Sequence, residues 1–389
     1  MPKAEAIQEC IDLVSAPYRD WQARHPGRRA IGYFCTYAPL ELLHAAGLVP
    51  VRLMQSSGAV ARANAHLPSF CCALARVTTE RMLSAELAFL QGVLFVHTCD
   101  TMQCLADVWR MANLQLRVHT FCAPTVIDHA ESLGYCVAEL QRLTRVLESD
   151  YGVSISMEAL RHSIHLYDEH RGLISQLYQA PRRFADADRW SLTLAGMLMP
   201  VEEHIALLRT LLDGEAGVRA EPDDKPTVYL VGAVLDEPTI VQLLTELGGR
   251  VVGDDLCTGS RYYDAQVDEG KEPYAALAER ALRRVPCPSK HSQGEERRSR
   301  LLRGLQASGA QGVIFVLPKF CEPHAFDYVP LSQAVEELGV GQLLIETEVT
   351  VPREALRTRL QAFLEMLEQH GRAPGTRHPI TPLRTAQAH

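Results

Sequence analysis

Eleven cysteines stand in a chain of 389 residues, and three of the places where they occur are arranged for redox or metal chemistry. Cys71 and Cys72 open the run CCALARVTTERMLSAELAFL, whose apolar spacing is that of a helix, so both thiols lie at a helix amino end. Cys99 follows the apolar stretch QGVLFV, and Cys321 follows QGVIFV, which begins 220 positions after the first copy. A helix amino end favours a thiolate and the anionic cluster that thiolates ligate. The grouping rests on position in the fold. No CxxC spacing occurs, and a zinc ribbon or ferredoxin-type site would need one.

The other cysteines have plainer readings. Cys10, Cys122, Cys136 and Cys257 read as packing residues. Cys35 and Cys104 lie near element ends without an evident partner, and Cys99 and Cys104, five apart, face different ways unless Cys99 precedes its helix. Cys287 occupies in the second half a place like that of Cys72 in the first, so Cys72 (or Cys71), Cys99, Cys321 and Cys287 are all candidate ligands on position alone.

The elements that must bring these thiols together follow an α/β plan. RRAIGYFCTYAPLELLHAAGLVPVRL alternates strand, helix and strand, with a strand over Ile31 to Cys35, Pro39 in the first helical turn, Gly47 closing the helix and Val49 to Leu53 extended. The helix that begins at the cysteine doublet leads into QGVLFV, and TMQCLADVWRMANL opens another helix directly behind Cys99. From Asp128 to about Leu212 the sequence is mostly helical, and DGEAGVRAEPDDKP marks a boundary. After it the opening plan repeats through TVYLVGAVL, RVVGDDLC, QGVIFV and GQLLIETEV, closed by the helix REALRTRLQAFLEMLEQH. The buried, β-branched strands read as parallel sheets covered by helices, with chemistry at their carboxyl ends. The expected architecture is two Rossmann- or flavodoxin-like lobes with a helical segment between them: 1–212, a linker at 213–226, and 227–389.

A formal charge of −8, with no long basic run, removes the electrostatic footprint of a nucleic-acid binder. Arg182 with Arg183 and the cluster Arg297 to Arg300 are the local exceptions. The first residues form an amphipathic helix with charges in its apolar stripe, which is no secretory signal, and no stretch is long and apolar enough for a membrane span. These features, with an odd number of cysteines, point to a cytoplasmic protein with reduced thiols. No GxxxxGK[ST] motif is present, so ATP hydrolysis is not expected of this chain.

Five stretches then match a known pattern in order: FCTYAPLELLHAAGLVPVRL, FCCALAR, HTCDTMQCLADVW, GDDLCTGSRYYD, and KFCEPHAFDYVPL with LRTRLQAFLEM. The chain resembles the 2-hydroxyacyl-CoA dehydratase and benzoyl-CoA reductase subunits, the 2-hydroxyglutaryl-CoA dehydratase D-component type. That resemblance implies a [4Fe-4S] cluster between two lobes, held by Cys72, Cys99 and Cys321, with Cys71 able to replace Cys72 after a one-residue shift in register. It leaves Cys287 outside the ligand set.

The resemblance also implies a reaction. Three protein ligands leave one iron with an exchangeable position. A low-potential cluster then passes one electron to a 2-hydroxyacyl-CoA thioester, whose ketyl-type radical loses its hydroxyl. The alternatives are the C-type subunit of an ATP-dependent aryl-CoA reductase and a homodimeric relative with a double-cubane cluster. Implied partners are the acyl-CoA, a related second subunit or a second copy, and a separate ATP-dependent iron–sulfur activator. Glu41, His97, Asp100, Glu322 and His324 lie near the expected site, with no general base assigned among them. Arg76, Arg261, Arg297 and Arg298 are candidates for CoA phosphate contacts.

Overall fold

In the computed structural model, residues 3–55, 58–179, 183–213, 225–284, 286–292, 296–349 and 352–372 are described. Eight strands carry the architecture: β1 (Ala30–Tyr33), β2 (Val49–Arg52), β3 (Leu90–Val96), β4 (Arg117–Phe121), β5 (Thr227–Gly232), β6 (Arg250–Asp255), β7 (Gly312–Pro318) and β8 (Gly341–Thr347). They form two four-stranded sheets ordered β2-β1-β3-β4 and β6-β5-β7-β8, and every pairing is parallel. The two sheets therefore have one topology, each reversing its strand order beside its first strand. The two QGV strands, β3 and β7, hold equivalent third positions. All seven residues of β7 are buried, as a parallel strand covered on both faces requires.

The glycine shared by those strands has a packing reason in each lobe. A side chain at Gly92 would collide with the Tyr151 hydroxyl, and a Cβ at Gly312 would lie 2.8 Å from Leu367 and Phe363 of the closing helix Arg353–Arg372. Gln311 serves the edge of the second sheet, where its side chain accepts from the Thr227 N–H at 2.9 Å. β4 goes unrecognised in the sequence, where its five residues follow a helix and mix an arginine and a histidine with only two large apolar side chains. The first strand ends at Tyr33, two residues before Cys35, so this thiol lies in the loop past the strand end.

The helices Ser132–Tyr151, Met157–Gln179, Asp186–Ala195 and Val201–Leu212 fill the segment expected to be helical. They are the mortar between the sheets. Helix Asp186–Ala195 packs on the first helix, Lys3–Ser15, and also on Thr239–Glu246 of the second half, while Ser132–Tyr151 packs on Pro273–Arg283. Asp186 accepts from the Val251 N–H at 2.7 Å, and Trp190 donates its indole N–H to the Leu235 carbonyl at 3.2 Å. Arg171 spans Glu41 at 2.7 Å and Asp168 at 2.5 Å, and Asp168 in turn accepts from the Val267 N–H at 3.1 Å. Residues 214–224, most of the expected linker, and 373–389 lie outside the described residues. Among the described residues no helix is long and apolar enough to cross a membrane.

A titration follows from β4. His119 is buried, and burial, assisted by Arg117, Arg110 and Arg142 and opposed by Asp150, lowers its pKa to about 4. The unfolded chain takes up that proton near the ordinary value of about 6.5, and the folded one refuses it until about pH 4. This group therefore contributes stability above about pH 6.5 that is lost as the pH falls toward 4, on the order of 2–3 kcal/mol. A His119→Gln variant is expected to lose that part of the acid slope when denaturation midpoints are compared between pH 7 and pH 4. An unchanged slope would show that the histidine does not carry it.

Candidate iron–sulfur centre

Three turns of the chain deliver the expected thiols in the same way. Cys72 is the residue immediately before helix Ala73–Leu83, Cys99 before Asp100–Ala112, and Cys321 before Glu322–Glu337. Each thus takes the N-cap position, where serine or aspartate would ordinarily accept a backbone N–H. No capping hydrogen bond is formed by the sulfurs. Even so, the N–H of the third residue on, Ala75, Met102 or His324, lies where it favours the anionic form of each sulfur. Cys321 is set by a tight turn in which its N–H donates to the Pro318 carbonyl at 3.0 Å and Phe320 adopts a left-handed φ of 65°. A bulky residue held there costs energy, of order 1–3 kcal/mol, and such strain is retained where geometry matters.

The three turns converge. Burial first, then the Cys72 thiol, and further on Cys99 and Cys287, push Cys321 up to about 12, against the His324 N–H. Burial raises Cys99 to about 11, with Cys72, Cys35 and Cys287 adding to the effect and the Met102 N–H opposing it. Cys72 is also raised, mainly by burial. Burial is the largest cause for all three, and thiols so placed become thiolates more readily when a cation joins them. Among the described residues no group of three His, Cys, Asp or Glu is gathered tightly enough for one metal ion. A four-iron cube binds each thiolate to a different iron, so its ligands need not share one coordination sphere, and three neighbouring N-cap thiols suit it. Cys71 is half-buried, and burial, with Cys104 adding and Arg76 opposing, raises its pKa.

Three further thiols stand close by. Cys35 lies past β1, Cys257 past β6, and Cys287 on the segment between Pro273–Arg283 and helix Glu296–Ser308. That segment is tied to the first lobe: Lys290 donates to the Ala123 carbonyl at 3.1 Å, and His291 pairs with Thr125 at 2.8 Å and Ile127 at 3.0 Å. Cys287 hydrogen-bonds with Cys257, which together with Arg261 holds it below the usual thiol range despite burial. Position past a strand was the signal for Cys35 and Cys257, and it is masked in the sequence by the commonness of buried cysteine. Cys10 and Cys136 are buried, Cys104 is exposed, and Cys122 contacts His97 Nδ1 at 3.1 Å.

Behind Cys321 a charged network fixes the helix start. His324 Nδ1 lies 3.4 Å from Cys321 Sγ, and its Nε2 lies 3.4 Å from Arg261. Asp255 accepts from Arg261 Nε and Arg297 Nη1, both at 2.6 Å, and Arg297 reaches Asp327 on the same helix at 2.6 Å. Arg261 and Arg297 are therefore committed to buried ion pairs and are not free to meet CoA phosphates. Arg298 pairs with Glu337 at 2.5 Å, and Arg76 donates to Asn64 at 3.1 Å. Arg183 closes a helix end by donating to the Leu211 carbonyl at 2.7 Å, and Arg182 lies outside the described residues. Glu41 belongs to the Arg171 ion pair, while Asp100 and Glu322 begin their helices.

Residues 35–367 match the sequence profile of the 2-hydroxyglutaryl-CoA dehydratase D-component family. The chain belongs to that family. Among curated relatives, a benzoyl-CoA reductase subunit of Thauera aromatica is 30% identical over 86% of this chain and 89% of its own length. The (R)-phenyllactyl-CoA dehydratase beta subunit of Clostridium sporogenes is 27% identical over 92% of this chain and 97% of its own. The lactoyl-CoA dehydratase beta subunit of Anaerotignum propionicum is 28% identical over 94% of this chain and 100% of its own. D-component relatives are thus dehydratase or reductase subunits, and the match spans both sheets.

Proposed function

We propose that this D-component is the iron–sulfur subunit of a 2-hydroxyacyl-CoA dehydratase. The observation that supports the reading is that Cys72, Cys99 and Cys321 are all N-cap thiols drawn from both lobes, with Cys72 and Cys99 near enough to Cys321 to disfavour its thiolate. Cys72, Cys99 and Cys321 would hold a [4Fe-4S] cluster, which would lend the thioester one low-potential electron so that its otherwise reluctant 2-hydroxyl could leave with a neighbouring proton as water, the electron being recovered at the end. The protein's own part is electrostatic and steric. The N–H groups of Ala75, Met102 and His324 stabilise the thiolates, and Arg261, set by Asp255, orients His324 against Cys321. Burial keeps water from the reduced centre.

A related second subunit and a separate ATP-dependent iron–sulfur activator complete the proposed system, since the relatives above are named as subunits and this sequence has no nucleotide-binding motif of its own. An aryl-CoA reductase C-type subunit is the second reading, supported by the 30% identity to the Thauera protein. The neighbouring thiols Cys35, Cys257 and Cys287 supply the additional sulfurs that a double-cubane relative would need. Anaerobic purification with iron and sulfide analysis separates these: about four irons per chain are expected, and about eight would favour the larger cluster. Turnover with partner and activator, on lactoyl-CoA and on benzoyl-CoA, decides the substrate class. Product from benzoyl-CoA alone would overturn the dehydratase reading.

A further inference from the structure

At the carboxyl edge of both sheets, a second group of side chains is buried with its polar atoms unused. Arg52, the last residue of β2, is 1% exposed, and its Nε and Nη1 have no hydrogen-bond partner. It pairs in register with Tyr33, the last residue of β1, whose ring it overlies at 5.8 Å and whose hydroxyl lies close to both Arg52 and Tyr262. From the other lobe, in the loop past β5, comes Asp236, also 1% exposed. One of its oxygens accepts the Gln55 N–H, and the other, Oδ1, is bare, as is the Gln55 side-chain oxygen. Burial pushes the Asp236 carboxyl up to about 6, the Gln55 N–H and Arg52 only partly oppose this, and no ion pair closes between Arg52 and Asp236. Unpaired buried donors and acceptors are costly, so an arginine and two acceptor oxygens left unpaired at one edge call for a partner.

The placement is meaningful. Arg52 and Tyr33 end their strands and Asp236 follows β5, just as Cys99 follows β3 and Cys321 follows β7. The group therefore lies on the same edge as these thiols, at the strand ends where parallel α/β sheets take their ligands. Its chemistry is specific. A cation and a phenol offer hydrogen bonds to a carbonyl oxygen, while a carboxylate and an amide oxygen accept one from a hydroxyl. A 2-hydroxyacyl thioester carries those two functions on adjacent carbons, and an aryl thioester carries only the first.

The geometry points to Arg52, Tyr33, Asp236 and Gln55 as the acyl-recognition site, with Arg52 and Tyr33 taking the thioester carbonyl and Asp236 and Gln55 taking the 2-hydroxyl. This rests on the reading that the chain handles CoA thioesters and adds the residues that select a hydroxyacyl over its deoxy or aromatic counterpart. A site built to hydrogen-bond a hydroxyl rejects the analogue lacking it, because its own groups are then stranded.

The test compares matched thioesters that differ by one hydroxyl, (R)-lactoyl-CoA against propionyl-CoA, bound to the anaerobically purified protein with its partner subunit. The wild type is expected to bind the hydroxyacyl thioester roughly 100-fold more tightly. Asp236→Asn should bring the pair to within a few-fold, and Arg52→Gln should weaken both. Tyr33→Phe keeps the buried ring and removes one hydroxyl, so it should fold, retain its iron and bind both thioesters less tightly. Equal binding of the pair by wild type, binding of neither, or unchanged affinities in the Tyr33 and Arg52 variants would overturn the assignment and leave these atoms to ordered water. An iron-free wild type that still discriminates the pair would remove the cluster reading while sustaining this one.

Discussion

Alanine at Cys99 is expected to yield a folded protein that has lost most of its iron, falling from about four atoms per chain to fewer than one, with the corresponding loss of the reduced-cluster EPR signal. The reasoning is local. Cys99 is half-buried, and its sulfur makes no capping hydrogen bond, so its removal costs the fold on the order of 1 kcal/mol. The same change leaves Cys72 and Cys321 with no third thiolate to share a cluster, and neither thiol, raised by burial, deprotonates readily without one. Parallel losses are expected for Cys72→Ala and Cys321→Ala, whereas Cys71→Ala should retain iron, since Cys72 and not Cys71 takes the N-cap position. Iron and sulfide analysis with thermal melts measures both halves of the prediction. Full iron in any one of the three variants would strike that residue from the ligand set.

Replacing Asp255 by alanine is expected to produce the largest stability loss in the chain, about 3–5 kcal/mol. Asp255 is fully buried between Arg261 and Arg297, and although burial opposes its charge, the two guanidinium groups outweigh it and hold the carboxyl well below the usual range. Without it Arg261, itself 1% exposed, keeps one good acceptor, the residue 255 carbonyl at 2.9 Å, and a buried cation stands uncompensated. Arg297 retains Asp327 at 2.6 Å, so most of the penalty falls on Arg261. Denaturant midpoints measure the loss. A change below about 1 kcal/mol would mean that water enters and solvates the arginine, as at an exposed pair. Because Arg261 meets His324, the variant should also bind iron less firmly through Cys321.

Much of the molecule is legible along the chain because its signals are periodic and local. The apolar strands, the repeat of QGV, the helix starts at the cysteine doublet and behind Cys99, and the long helical middle all rest on neighbouring residues. β4 escapes, since an edge strand half in solvent need not be apolar. The reach of Arg261 and Arg297 toward phosphates fails for a different reason: an arginine looks the same in sequence whether it faces water or a buried aspartate 6 or 42 positions away.

By itself, the sequence determined the α/β class, the two-lobed repetition and the family, because periodicity and motif order are properties of a line of residues. Only the tertiary structure brings N-cap thiols of the two lobes near one another. Cys72, Cys99 and Cys321 become neighbours because parallel strands send their carboxyl ends to one edge and each following helix begins there. Cys287 is added by a segment anchored on the opposite lobe. The unpaired atoms of Arg52, Gln55 and Asp236 are likewise a product of packing, since whether a donor finds an acceptor depends on atoms nearly 200 residues apart in sequence meeting within a few ångströms.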